Sequence, residues 1–333
     1  MLVASRPRFS LRLAFARSDN ALTTGSGRTG TEIARREQGE DDDRLQYALE
    51  WAFFTRCQWG EFDTALYELE RCWGRKPESP SPIGSGGRPK TEHTIYSLAD
   101  VHAAVRHYVN SIPYGQVLST ATHISTDINY RVVSDAEMET ALARRTQATS
   151  SERDVYAAYV NEAFLNELEK HGHEIVFQFS FAAEPLPFET GSRVNQQTIA
   201  AVAEMIARHP KLRFQCFLAS RHANQSLCTL ARELPNFSLA GYWWHNFFPD
   251  VIRQVMAERL DMLPANKQIG FFSDAYCVEW AYAKAAIVRK QLARVFAEKV
   301  EQGQYSRDDA LAVARAILWE TPQTLLRFIP RKV

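Results

Sequence analysis

The stretch that decides the fold runs from Gly241 to Cys277 and contains two apolar runs that each end in polar residues. From Gly241 the first run reads Gly-Tyr-Trp-Trp-His-Asn-Phe-Phe-Pro-Asp, and from Gln268 the second reads Gln-Ile-Gly-Phe-Phe-Ser-Asp-Ala-Tyr-Cys. Buried parallel strands have this character where their carboxyl ends open onto a site. Residues 251–263 between the runs carry apolar side chains on one helical face. The stretch therefore predicts strand, polar loop, helix, strand and polar loop, as in a parallel α/β barrel.

The same alternation extends back through the chain to about residue 96. Strands are predicted to begin at Gln116, Glu174, Leu212, Phe237 and Gln268. Predicted helices separate these strands, which indicates βαβ units and a parallel sheet. Five such units are either the later part of an eight-stranded barrel or a complete doubly wound sheet. No GxGxxG or GxxxxGK[ST] motif follows any predicted strand, so a nucleotide-binding sheet is disfavoured and no nucleotide cofactor is expected.

The first 95 residues lack this alternation. Residues 1–44 begin with an Arg-rich, acid-poor stretch that resembles a transit peptide, but they sustain no amphipathic helix and are predicted to be disordered. Residues 45–95 predict two short helices and then a linker rich in Pro and Gly. We therefore predict an α/β fold with a (β/α)8 TIM-barrel-like domain over residues 96–330. We expect it to be incomplete or modified at its amino terminus, with fewer than eight parallel strands in the monomer.

The composition excludes several classes of protein. Lys plus Arg number 39 and Asp plus Glu also number 39, and this balance gives no support for a nucleic-acid partner. No apolar run reaches the ~18 residues that a membrane helix needs, so a soluble protein without a membrane partner is expected. The five cysteines are scattered and show no CxxC spacing, which argues against a disulfide framework and a structural zinc site. A cytoplasmic location is the default expectation.

Polar and ionisable residues follow most of the predicted strand ends. In a parallel barrel the loops after the strands all lie on one face, so their side chains are expected to converge. The residues so placed are His123, Glu184, Arg221, His222, Trp243, Trp244, His245 and Asp274. Imidazoles with a carboxylate suit zinc or another first-row metal, although such a histidine is also often a hydrogen-bonded structural residue. For the tryptophan pair, barrel packing and sugar stacking both stay open.

Residues 212–326 resemble the carboxyl-terminal part of the uronate isomerases, amidohydrolase-like TIM barrels that interconvert aldo- and keto-hexuronates such as glucuronate and fructuronate. The features that carry the resemblance are, in order, Trp243-Trp244, Arg253-Gln254, the run 270–274 that ends in Ser-Asp where the family has Thr-Asp, and the turn 301–305. The resemblance implies a TIM barrel, a sugar-acid substrate and a divalent metal held in part by the aspartate that stands here as Asp274. His123 and His222, which follow predicted strand ends, are the candidate further ligands, and imidazoles with a carboxylate make zinc the first choice.

This chain departs from the family pattern at several positions. The family carries a His-x-His metal pair after its first strand, whereas the His-x-His of this sequence, His171-Gly172-His173, precedes a predicted strand. In a barrel that position lies on the opposite, stabilising face, so we interpret it as a polar turn. Phe179-Ser180 stands where the family has a histidine, and Tyr276 stands where it has a carboxylate-clamping arginine. The site is therefore predicted to be rebuilt or lost.

The favoured hypothesis is a uronate-type isomerase, which moves a proton between C2 and C1 and stabilises an enediolate. Asp274 beside a metal is the predicted base, His245 completes the catalytic set, and Arg221 holds the substrate carboxylate. Substrate-binding roles are predicted for Trp243, Trp244, Tyr276 and Glu184.

The alternatives are another metal-dependent amidohydrolase-type hydrolase or lyase, and an inactive relative that binds a sugar acid or a partner protein. An incomplete barrel would leave strand edges that either residues 1–95 or a partner chain, as in a homo-oligomer, would have to cover. Because the barrel is expected to be incomplete and to lack the His-x-His metal pair, weak or absent isomerase turnover is also expected.

Overall fold

The computed structural model describes twelve parts of the chain. They are residues 47–49, 62–73, 93–112, 114, 117–120, 122–123, 130–144, 147–172, 175–181, 196–242, 248–272 and 278–326. Together they form an α/β fold in which helices pack against a parallel sheet.

The sheet is parallel throughout its described length. Its strands are β1 Tyr47–Leu49, β2 Val117–Thr120, β3 Thr122–His123, β4 Val176–Phe181, β5 Arg213–Leu218 and β6 Phe237–Leu239. The strand order is β1-β2-β4-β5-β6, with β3 paired to β4, and Gln268 adds a parallel bridge to Leu239. The prediction that the strands near residues 116, 174, 212 and 237 are neighbours in one parallel sheet is confirmed, whereas within the described residues the fifth predicted strand is present only as the single bridge at Gln268.

The helices follow the predicted apolar periodicity. They are α1 Phe62–Trp73, α2 Leu98–Asn110, α3 Asp135–Arg144, α4 Ser150–His171, α5 Gln196–Arg208, α6 Asn224–Glu233, α7 Pro249–Met262, α8 Val278–Glu301, α9 Arg307–Arg315 and α10 Thr321–Leu325. A capping box forms at the start of α2, where the Ser97 hydroxyl accepts from the Asp100 backbone N–H at 3.2 Å. Hydrogen bonds from Ser97 lower the pKa of Asp100. None of the described helices has both the length and the apolar character needed to span a membrane.

The region before residue 96 differs from its prediction. Tyr47–Leu49 forms the strand β1, where the first of the two short helices was expected. The second expected helix is found at Phe62–Trp73. Leu49 is fully buried, and β1 pairs in parallel with β2. A run of three residues carries too little periodicity to separate strand from helix, so its pairing partner decides. The predicted disorder of 1–44 and the predicted linker lie outside the described residues.

The two faces of the sheet differ in chemistry because successive side chains of a strand point to opposite sides. The helix-facing side is aromatic: Phe177 meets Phe214 edge-on with ring centroids 5.6 Å apart, and Phe179 stacks on Phe237 at 6.2 Å. These rings are buried against the helices, and each contributes about 2–3 kcal/mol through the burial of apolar surface. The aromatic layer anchors the sheet to its helices.

Candidate functional site

The carboxyl ends of β5, β6 and the strand segment at Gln268 meet at one edge of the sheet. The Ala240 backbone N–H donates to the Cys216 carbonyl at 2.8 Å, and the Ile269 backbone N–H donates to the Leu239 carbonyl at 2.9 Å. The connections that carry most of the predicted site residues therefore begin side by side. We call this end of the sheet the carboxyl edge.

Gly241 is needed for the close approach of two chain segments at the carboxyl edge. A Cβ atom at this position would lie 2.4 Å from the Phe272 backbone N and 2.6 Å from the Phe271 carbonyl carbon. Contacts this short between a Cβ and backbone atoms do not occur, so only glycine lets the chain after β6 lie against residues 271–272. The glycine that opens the fold-deciding stretch thus has a packing role.

The inner face of the sheet, opposite the helices, carries a row of hydrogen-bonded polar side chains. The pairing register places Gln178 beside Gln215 and Gln215 beside Ser238. Gln178 Nε2 donates to Gln215 Oε1 at 2.6 Å, and Gln215 Nε2 donates to Ser238 Oγ at 3.3 Å. All three residues are buried, so these hydrogen bonds satisfy polar groups that would otherwise destabilise the folded protein. TIM barrels usually fill this position with branched apolar residues, and here it is polar.

An aromatic pair lies between the polar row and the carboxyl edge. Phe217 stacks on Phe272 with ring centroids 4.2 Å apart and planes 10° apart, beside Ala219 and Ala240. The inner face is thus polar at the level of Gln215 and apolar one step nearer the edge.

Arg221 and His222 lie directly after β5, as predicted, in a turn that spans Arg221–Ala223. The Ser220 hydroxyl accepts from the His222 backbone N–H at 3.3 Å and holds the start of this turn. Both side chains are exposed. Arg221 Nη1 donates to Gln254 Oε1 of α7 at 3.1 Å, which ties the turn to the neighbouring helix.

Arg259 is a buried residue of this region that sequence reasoning missed. Its side chain is 1% exposed, and it donates from Nε to Asn224 Oδ1 at 2.8 Å and from Nη1 to the Ala240 carbonyl at 2.6 Å. Its guanidinium carbon lies 5.4 Å from the centre of the Tyr242 ring. Burial raises the pKa of Tyr242 to about 12, and the positive charge of Arg259 opposes that rise. The available signal was spacing, because residue 259 is seven positions after Ile252 on the apolar stripe of α7.

Of the remaining predicted site residues, only His123 lies among the described parts of the chain. His123 lies in β3, where its backbone pairs with Ser180, while its side chain is outside the described residues. The predicted residues that lie wholly outside them are Glu184, Trp243, Trp244, His245, Asp274 and Tyr276. Tyr242 and Phe248 bracket 243–247, and Phe272 and Val278 bracket 273–277. The convergence of the predicted histidines with Asp274 stays a prediction.

The described residues do not by themselves supply a metal site. Among them, no group of three His, Cys, Asp or Glu side chains is placed to hold a metal ion. Of the three predicted ligands, His222 has a described side chain, and it is exposed. Three or four protein ligands at about 2.0–2.2 Å are typical of zinc, so the predicted set depends on Asp274 and the side chain of His123.

The predicted polar turn at His171 is found before β4, at the opposite edge of the sheet. His171 is the last residue of α4, and Gly172 ends the helix in the left-handed region with φ of 69°. The His171 ring stacks on Tyr114 with centroids 4.8 Å apart. His171 therefore lies away from the carboxyl edge, as predicted, and His173 is outside the described residues.

A second buried polar cluster lies at this opposite edge, which we call the amino edge. His209 is 1% exposed, with Nε2 3.2 Å from Glu162 Oε1 and Nδ1 3.5 Å from Glu169 Oε2. Arg208 pairs with Glu162 at 2.9 Å. Burial raises the pKa of Glu162, but His209 and Arg208 outweigh it and lower the pKa to about 2. Asn236 donates to the His209 carbonyl at 2.9 Å, which joins the cluster to the start of β6.

Comparison with known proteins supports the fold. No protein-family model and no curated protein matches the chain by sequence. In structure it is similar to the uronate isomerase of Thermotoga maritima, with a TM-score of 0.67 and 13% identity over 89% of this chain and 64% of that one. It is also similar to the glucuronate isomerase of Caulobacter crescentus, with a TM-score of 0.66 and 13% identity over 86% and 59%.

A third similar structure has a different assigned activity. It is a Lactobacillus casei protein assigned as a metal-dependent hydrolase, with a TM-score of 0.58 and 13% identity over 85% of this chain and 65% of that one. The chain thus spans between 59% and 65% of the length of these three proteins. At such low identity the likeness concerns the fold, and it bears out the resemblance to the uronate isomerases as a structural one. The chain has an α/β, parallel-sheet fold similar to that of uronate isomerases, which implies a TIM-barrel-like architecture.

Proposed function

We propose that the protein is a sugar-acid isomerase of the uronate type, which interconverts an aldo- and a keto-hexuronate. The observation that supports this is the arrangement of the carboxyl edge in a fold similar to solved uronate isomerases. The turn with Arg221 and His222 starts there, and the segments 243–247 and 273–277 are entered from described residues of the same edge. Active sites of TIM-barrel enzymes form on this side of the sheet.

The first proposed role belongs to Arg221. Its guanidinium is exposed, and within the described residues its single hydrogen bond goes from Nη1 to Gln254. A guanidinium has five N–H donors in a planar fork, so the remaining donors suit a bidentate contact with the uronate carboxylate. Gln254 then fixes the orientation of the guanidinium, because Nη1 of Arg221 is already bonded to this residue of α7.

The proposed chemistry is a proton transfer between adjacent carbons. Asp274 removes the C2 proton of the aldose and returns it to C1, while His245 carries the hydroxyl proton from O2 to O1. The products balance, because the ketose has gained one hydrogen at C1 and carries the carbonyl at C2. Trp243, Trp244, Tyr276 and Glu184 are proposed to surround the sugar.

A divalent metal belongs to this proposal through the predicted ligands Asp274, His123 and His222. When bound, such an ion would polarise the sugar oxygens beside the developing enediolate. Because the described residues do not by themselves form a set of metal ligands, both proton transfers are assigned to the side chains of Asp274 and His245.

An assay of the purified full-length protein with D-glucuronate and D-galacturonate, with and without added Zn²⁺, tests the proposal. We expect ketose formation with a kcat below the ~10 s⁻¹ that is typical of enzymes. Asp274→Asn should lower it by about 100-fold or more, since it removes the general base. No ketose from either sugar under any metal condition would overturn the proposal.

The similarity to a protein assigned as a metal-dependent hydrolase favours hydrolysis as the second candidate. Hydrolysis of an ester, amide or lactone panel by protein that leaves uronates unchanged would support it. Binding of D-glucuronate without any turnover would instead support an inactive sugar-acid-binding relative.

A further inference from the structure

We propose that Arg259 is a positioning residue that locks the turn after β5 to the chain that follows β6. The inference deepens the proposed function and rests on it, because both connections carry residues assigned to the candidate site. Arg259 itself is 1% exposed, so its role is to hold other groups in place.

The first half of the lock is at the turn after β5. Arg259 Nε donates to Asn224 Oδ1 at 2.8 Å, and Asn224 is the residue that follows the turn Arg221–Ala223. Asn224 is fully buried, and its Nδ2 donates to the Glu258 carboxylate on the same helix as Arg259. Glu258 and Arg259, which are neighbours in α7, therefore both bond the Asn224 side chain and hold the end of the turn in place.

The second half of the lock is at the end of β6. Arg259 Nη1 donates to the Ala240 carbonyl at 2.6 Å, and the guanidinium lies 5.4 Å from the ring centre of Tyr242. Tyr242 is 1% exposed and directly precedes residues 243–247. One planar group thus contacts the chain on both sides of Gly241, where the path is already restricted by residues 271–272.

The geometry requires a guanidinium. Its fork presents donors in two fixed directions, one toward Asn224 and one toward Ala240, whereas a lysine ammonium is a point charge on a flexible stem. An apolar side chain of similar volume would fill the space and give neither bond. Buried polar networks can specify one arrangement of the chain, and replacing them with apolar residues often preserves stability.

The test compares Arg259→Met and Arg259→Lys with Lys299→Met in the full-length protein. Lys299 is a matched control, since it is 5% exposed and bonded to Asp261 and Gln304 near the far end of α8. Amide hydrogen exchange is followed in peptides covering 219–225 and 239–248, together with thermal unfolding and kcat and KM for D-glucuronate.

We expect Arg259→Met to speed exchange about 10-fold or more in both peptides, with Arg259→Lys intermediate and Lys299→Met unchanged there. Arg259→Met should also lower kcat about 10- to 100-fold, with a smaller change in KM, because misplacement of the reacting groups slows the chemical step. Exchange that rises equally throughout the protein, or that stays at the wild-type rate in both peptides, would overturn the proposal.

Asn224→Ser supplies a second variant in case Arg259→Met does not fold. It removes the bond to the turn after β5 and keeps the one to Ala240, so exchange should rise in 219–225 and stay near wild type in 239–248. Equal changes in both peptides would contradict the lock. Because hydrogen exchange needs no turnover, a protein that fails to isomerise uronates can still confirm or exclude the positioning role.

Discussion

Each edge of the sheet carries a buried polar side chain, and the partners of the two side chains differ. At the carboxyl edge Arg259 donates to a side-chain amide and to the backbone carbonyl of Ala240. At the amino edge His209 lies between the carboxylates of Glu162 and Glu169. The first arrangement holds two connecting segments in place, whereas the second joins α4 to the residue that follows α5. Buried polar groups of one fold can therefore fix the position of loops at one edge and stabilise the packing of helices at the other.

The largest expected effect comes from Gly241→Ala at the carboxyl edge. A Cβ atom there would lie 2.4 Å from backbone, which cannot be relieved by turning a side chain, so unfolding free energy should fall by about 3 kcal/mol or more. The control is Gly172→Ala at the amino edge, where φ is 69° and nothing lies within 4 Å. It should cost about 1 kcal/mol from backbone strain alone. Urea unfolding measures the free energy of unfolding of both variants. Equal losses would contradict the packing role of Gly241.

The intermediate effect is expected from Glu162→Gln at the amino edge. Because the pKa of Glu162 is lowered from 4.5 to about 2, its carboxylate stabilises the native state fully above pH 4.5. That contribution is lost as the pH falls from 4.5 toward 2. The variant should therefore be less stable than the wild type by about 2 kcal/mol at pH 7, and the gap should close near pH 2.

The measurement for Glu162→Gln is urea unfolding at several pH values, with ketose formation assayed in parallel. Turnover should be unchanged, since the amino edge is remote from the proposed site. A gap that persists undiminished at pH 2, or a large loss of turnover, would show that the two edges are not separate in role.

The smallest effect on stability is expected from Arg221→Ala, which changes an exposed side chain and should alter the unfolding free energy by about 0.5 kcal/mol or less. Its effect on substrate should be larger, with KM for D-glucuronate raised about 10- to 100-fold through the lost carboxylate contact. Arg232→Ala is the control, an exposed arginine bonded to its neighbour Glu233 at 3.1 Å. Unchanged kinetics in Arg221→Ala would remove that residue from the proposed site.

Much of the fold was predictable from local pattern. The apolar face over residues 251–263 predicted α7 within two residues of its bounds, and the run from Leu212 predicted β5. The signal was strong there because burial on one face repeats over many residues. β1 was missed because three residues do not define a period. The placement of Arg221 and His222 was predicted, since carboxyl ends of parallel strands meet at one edge.

Arg259 and the polar row of Gln178, Gln215 and Ser238 were not predictable in the same way. An arginine in an amphipathic helix normally extends to water, and its burial depends on Asn224 and Ala240, which are 35 and 19 residues away. The polar row depends on strand register, which joins residues 37 positions apart.

Local sequence was enough for the alternation of strands and helices after residue 96, the capping box at Ser97 and the turn at Gly172, because each follows from backbone geometry or periodicity within one segment. Contacts between distant segments were needed to make β1 a strand, to place Gly241 against Phe272 and to let Arg259 join two connections. These features arise where distant segments meet, and the free energy of such contacts depends on partners that no local pattern records.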